Sequence, residues 1–399
     1  MKKFGKIAAL VAALGTALAL CAVSCSNSSD TPTPTPTPAA TYTVTCGSFA
    51  NGSVAASPAT AAEGTEITLT ASPATGYELA TLTVTAADST AVATSGSGNT
   101  RTFTMPAKDV TVTAAFSVIG EYKKVDTETI NGKTYDLVTF GLWPQTIKAD
   151  SVTVNESVTE THGAFTYCKG SDGEWYVKQA EKWFKVEPIK WRVLSENYFG
   201  AKLLLAESIL TGGMYYLNEY DRGTVCANNY KYSTIRAWLN GSYEADDTQA
   251  TTHDGKGFLQ SAFTAAQRAA IPATTVDNSA ASTTDVSGTI AQVDESHACA
   301  NTIDKIFLLS EKEVTTSAYG FDVYYARGTG NKRIRATTDF AKATGADGLW
   351  WLRSPTKGSG VRANCVNDDG GVKEGDSHYG FGSYVDRYRG VVPALSIAN

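Results

Sequence analysis

The residues best suited to molecular recognition crowd the C-terminal stretch from Trp350 to Asn399. Tyr379, Phe381, Tyr384 and Tyr388 offer large, stiff contact area at low entropic cost. Asn367, Asp368, Asp376, Ser377, His378, Ser383 and Asp386 add adaptable hydrogen-bonding groups, while Lys373 and Arg387 supply charge. On a Gly-rich backbone this mixture is the composition of a binding face, and the cluster as a whole carries that reading. A plain surface meander, with each tyrosine packed over its own backbone, is the alternative.

Other chemistries fare worse. Outside the leader the cysteines are Cys25, Cys46, Cys168, Cys226, Cys299 and Cys365, and no two sit at a recognisable metal or redox spacing. Arg362 near Cys365 is thin grounds for a reactive thiolate. Asn367-Asp368-Asp369-Gly370 clusters oxygens as a calcium loop would. It lacks the spaced acids and the distal glutamate, so a hairpin turn is expected instead. His162, His253, His297 and His378 are scattered. No metal, no cofactor and no catalytic residue is expected.

A binding face needs a frame. Leu349-Trp350-Trp351-Leu352 followed by Arg353-Ser354-Pro355 opens the tail as a strand-like run, and Val391-Val392-Pro393-Ala394-Leu395-Ser396-Ile397 closes it. Between them Val361, Val366, Val372 and Val385 are the aliphatic pins that could hold the polar stretches on a core. Upstream, residues 137–145, 189–194, 202–207 and 306–310 read as strands. Ser233, Thr264, Ser310 and Thr337 or Thr338 are N-caps of short helices, the first ended by Asn240-Gly241. Residues 278–293, rich in Ser, Thr and Ala, read as a surface insertion. Short helices interleaved with irregular strands predict an α+β head.

The N-terminal part organises display. Residues 1–24 read as an export signal, with Lys2, Lys3 and Lys6 before an apolar run. Ala22-Val23-Ser24-Cys25 resembles a lipoprotein signal-peptidase box, which makes Cys25 the lipid-attachment site and the membrane a partner through that anchor. Residues 25–40 form a tether whose TPTPTPTP repeat favours an extended rod. From 41 to 118, threonine alternates with apolar residues at period two, which predicts an all-β unit. Its Asn51-Gly52-Ser53-Val54, Glu63-Gly64-Thr65, Ala74-Thr75-Gly76-Tyr77 and Phe103-Thr104-Met105-Pro106 resemble the divergent internalin B-repeat, which implies a stalk. The chain carries a formal charge of −6, with 19 tyrosines and 7 tryptophans, and 19% of its residues are charged. Removing three leader lysines leaves −9 by the same count. No basic stripe exists to neutralise phosphates, so nucleic acid is excluded as a partner.

Within residues 119–399, Ile235-Arg236-Ala237-Trp238-Leu239-Asn240-Gly241, Phe307-Leu308-Leu309-Ser310, the WWLRSP run and the final Gly390-Val391-Val392-Pro393-Ala394-Leu395 resemble a bacterial domain of unknown function. With the leader, the chain is similar to the treponemal variable lipoproteins, targets of diversity-generating retroelements. That resemblance implies a C-type-lectin fold of the formylglycine-generating-enzyme type, with a variable segment at about 356–390. Val392 departs from it, standing where relatives commonly carry an arginine. The expected function is a surface-displayed, lipid-anchored receptor on the outer membrane or cell surface, binding an unknown protein or glycan on another cell or host. Two alternatives remain: a formylglycine-generating-type oxidase or its degenerate form, whose chemistry uses a copper-binding cysteine pair, and a structural envelope lipoprotein.

Overall fold

The structure is a computed structural model that describes residues 39–398, apart from 75–76, 97, 119, 218–224, 242–252, 284–297, 324–325, 357–358 and 373–381. The expected export signal, Cys25 and most of the tether therefore lie outside the described residues. Among the described residues no helix is long and apolar enough to cross a membrane.

The threonine-alternating segment folds as expected, into two small sheets. Thr41–Cys46 lies parallel to Val110–Val118, which pairs antiparallel with Tyr77–Ala86. Gly52–Ser57, Glu66–Pro73 and Thr100–Thr104 form the second sheet. The alternation works because every second side chain points inward. Ile67, Leu69, Phe103, Met105, Val110 and Val112 thereby form a core of their own. Asn51 and Gly64, both at positive φ, turn the chain between its strands, while Thr75 and Gly76 lie outside the described residues.

The larger unit corrects the expected α+β class. Strands make up 50% of the structure and helices 12%, and no α-helix among the described residues exceeds the seven residues of Thr234–Asn240. The head is thus mostly β. The four N-caps were read correctly: Ser233, Thr264, Ser310 and Thr338 each accept a backbone N–H of their own first turn. Two of them complete capping boxes, with Gln267 and Glu313. The helices they start are single turns or little more between strands.

A nine-stranded sheet spans the head, with Lys182–Tyr198 pairing Lys133–Ile147, Trp175–Gln179 and Ala201–Ala206 along its length. Ala394–Ile397, the closing run of the tail, sits between Ala201–Ala206 and Ile306–Phe307. The end of the chain is therefore locked into the middle of the core. Trp143, from a strand that bulges on both sides of it, meets Phe165, Trp238, Phe258 and Phe340 in edge-on or tilted contacts, geometries aromatic pairs favour. The expected surface insertion also needs correction at its start. Asn278 is buried and donates from Nδ2 to Ala300 O and Thr302 Oγ1. Residues 284–297 fall outside the described set.

Candidate ligand-recognition face

The tail forms a second, five-stranded sheet in the order Thr211–Met214, Tyr388–Val391, Trp350–Pro355, Arg362–Val366, Ser383–Tyr384. Its central strand, Trp350–Pro355, is buried at every position. A strand buried on both faces must satisfy its polar groups from within, and this one is tied to many separate segments. Trp350 Nε1 donates to Arg333 O at 3.2 Å, and Trp351 Nε1 to Gly213 O at 2.8 Å. Arg353 donates to Leu308 O, to Asp277 O and to the Glu313 carboxylate, while its own carbonyl accepts from Tyr215. Ser354 donates to Thr283 O and accepts from Glu311 N.

Electrostatics reinforce this frame. Burial alone would raise the Glu313 carboxyl, but the Arg353 guanidinium and the bonds from Ser310 N and Tyr198 OH outweigh it, and its pKa is held below the ordinary value. Burial raises the Tyr198, Tyr215 and Tyr230 hydroxyls, which stay neutral donors. Arg333, also buried, donates to Asp322 O, Ala326 O and Gly370 O and so ties the tail's first turn to an upstream loop.

The pins sit as a frame requires. Val366, Val372 and Val385 are buried in the main core, and Val361 is half-buried against it. Val392 is likewise fully buried. Between Val366 and Val372, Asn367-Asp368-Asp369-Gly370 folds as a turn. Asn367 N bonds Gly371 O, Gly370 N bonds Asn367 O, and Asp369 Oδ1 accepts from Gly371 N at 2.8 Å. Gly370 has φ +79°, and a Cβ there would meet the Asn331 side chain at 2.4 Å, so glycine is required on both counts. Asp368 is exposed at the tip, and Asn367 is half-buried. No group of three or more potential metal ligands occurs among the described residues.

Of the expected site residues, Lys373, Asp376, Ser377, His378, Tyr379 and Phe381 lie outside the described residues. The others divide. Ser383, Tyr384 and Arg387 line one cleft of about 160 Å³, with Leu349, Arg362, Cys365, Gly382 and Arg389. Tyr388 turns to a different cavity, of about 210 Å³ and mostly apolar, beside Met214, Leu217, Trp238 and His253. Asp386 lies next to Arg387 at 4.0 Å. Asp368 belongs to the Asn367–Gly371 turn: a Cβ at Gly348 would lie 3.8 Å from it, and Asp347 of that same loop pairs with Arg389.

Strand register builds the cleft. Arg362 pairs across the sheet with Tyr384, and Ala363 with Ser383, which brings the Arg362 guanidinium to 4.0 Å from the Tyr384 ring centre. Gly382 makes that approach possible, because a Cβ there would overlap Thr356 Oγ1 and the Ala363 carbonyl. Arg389 Nε donates to Ser383 Oγ at 2.9 Å. Arg362 as a binding residue, and Arg389 altogether, escaped the sequence reading. The signal was the alternation Arg387-Tyr388-Arg389, which on a strand sends Tyr388 away from its neighbours.

Three of the described cysteines are held as neutral thiols. Burial raises the thiol pKa of Cys46, Cys168 and Cys299, and Cys365 is buried in the cleft floor.

Comparison with known proteins finds a family for two stretches of the chain. Residues 42–120 match the family described as Divergent InlB B-repeat domain, so the alternating β unit is such a repeat. No curated protein and no solved structure matches the chain. Residues 199–399, just over half of the 399, match the family described as Domain of unknown function (DUF6273). The chain belongs to that DUF6273 family.

Proposed function

We propose that the protein is a lipid-anchored, surface-displayed receptor whose C-terminal segment is a diversified recognition face, held out by the tether and the B-repeat. The observation that carries the reading is the contrast inside the tail. Trp350–Pro355 and Ala394–Ile397 are buried throughout. Tyr384, Arg387 and Tyr388 stand exposed between them on short strands and a turn. Such a frame lets exposed residues change without disturbing the core. The retroelement mechanism and the lectin-type ancestry rest on the resemblance of the WWLRSP and PAL ends to variable lipoproteins.

The test is to sequence the codons for 350–399 across many isolates, with the flanking DNA. Substitutions clustered at positions such as Asn367, Asp376, Tyr379 and Arg387, with Trp350, Trp351 and Pro393 fixed beside a near-copy of the segment, support the proposal. An invariant tail with no copy overturns diversification. One observation favours a second reading, an oxidase: Cys365 lines the cleft. Copper-dependent peptide oxidation that is lost in Cys365→Ser would establish it in place of the receptor.

A further inference from the structure

Three arginines converge on the cleft in a chain whose net charge is −6. They arrive from separate places: Arg362 on Arg362–Val366, Arg389 on Tyr388–Val391, and Arg387 in the turn just before it. Each keeps capacity to bind. The face of Arg362 is covered by the Tyr384 ring and its Nη1 donates to Gly382 O at 3.4 Å, while among the described residues no carboxylate pairs with it, so its charge is left for a ligand to match. Arg389 is fixed by Ser383 through Nε and by Asp347 through Nη1, with Nη2 unpartnered among the described residues. Arg387 is mostly exposed, and among the described residues the carboxylate it approaches, that of Asp386, stands off at 4.0 Å. Guanidinium groups present rigid forks of donors that match the two oxygens of a carboxylate.

Resting on the receptor reading, we infer that this cleft binds the carboxylate of an acidic sugar. The charge calls for an anion. Planarity and forked donors favour a carboxylate, and the cleft, of about 160 Å³, has room for one small terminal group. The lining is more polar than apolar, with the Ser383 hydroxyl and backbone carbonyls beside the arginines. A group entering with the carboxylate must meet that surface with hydrogen bonds or leave it unpaired at a cost, and a hydroxyl-bearing ring does so. The exposed Tyr384 forms one wall and covers the remainder of the ring.

Ligand-observed NMR titration of the full mature chain with glucuronic acid, glucose and methyl glucuronate tests this, with a tetra-aspartate peptide as the competing class. Glucuronic acid is expected to bind, its ester and glucose about tenfold or more weaker, and rising salt to weaken only the acid. Arg362→Gln is expected to reduce glucuronate affinity about tenfold without moving the thermal midpoint. Should that variant misfold, Arg387→Gln serves, since its side chain is mostly exposed. Equal binding of acid and ester, no binding of glucuronic acid, or binding of tetra-aspartate alone would each overturn the inference. The codon survey is read independently, so a tail that varies while glucuronate fails to bind leaves the receptor reading standing.

Discussion

Arg353 and Arg389 lie on two neighbouring strands of the same sheet, yet they do opposite things. Arg353 is 1% exposed and donates to two backbone carbonyls and the Glu313 carboxylate. Arg389 is half-buried at a rim, held by one carboxylate and one hydroxyl, with an edge toward the cleft. In the first case the protein is the ligand and the cation is consumed in holding strands together. In the second the cation is positioned but unsaturated. Residue type alone does not separate frame from face; the number of partners does.

The comparison breaks most sharply at the frame. Arg353→Ala strands a buried Glu313 and unpairs the Leu308 and Asp277 carbonyls. Removing one partner of a buried pair costs about 3–5 kcal/mol, so the head is expected to lose a large share of its stability in chemical denaturation. Loss below about 1 kcal/mol would mean the network is not what joins these strands. Acid probes the same pair more gently. Glu313 has its folded pKa lowered, so its contribution is fully present above the ordinary glutamate value of 4.5 and is lost as pH falls through the folded value. Head stability should therefore decline below about pH 4.5, and that part of the decline should vanish in Glu313→Gln, measured as denaturation midpoint against pH.

Much of this frame was legible in the sequence, for physical reasons that differ by element. The B-repeat announces itself because threonine alternates with apolar residues on strands that bury one face, as in Val110-Thr111-Val112-Thr113. The helix starts at Ser233, Thr264, Ser310 and Thr338 are read locally, because a cap is a bond within one turn. The class was misjudged because the large sheet hides its pattern. Val154–His162 is almost wholly exposed or half-buried, and Lys133–Ile147 is bulged twice and carries Gly141 at positive φ, so neither shows clean alternation. The arginine cleft was invisible for a different reason. It depends on the register of Arg362 opposite Tyr384, across a connection that sequence does not measure.

At the rim the effects become small for stability and larger for binding. Asp347→Asn removes the carboxylate partner of Arg389 at a partly exposed site. Pairs of this kind contribute about 0–1 kcal/mol, so the midpoint should barely move. The cleft gains one unit of positive charge, however, and glucuronate affinity should rise. A fall in affinity would show that Asp347 is needed to aim Arg389 rather than to neutralise it.

The smallest effect on stability is expected at Arg387, and it is the sharpest test of the division. Its side chain is 66% exposed, and its contact with Asp386, at 4.0 Å, is too long for a hydrogen bond. Arg387→Ser should change unfolding free energy by no more than about 0.5 kcal/mol, as substitutions at such surface positions do. The same change removes one of the three cations from the cleft, so its effect belongs in binding. If Arg387→Ser instead destabilised the head by about 1 kcal/mol or more, the residue would be part of the frame. The face would then shrink toward Tyr384 and Arg362, and the tail could not vary there without cost to the fold. Urea denaturation of the variant beside the parent protein decides between the two, because only a structural role moves the midpoint.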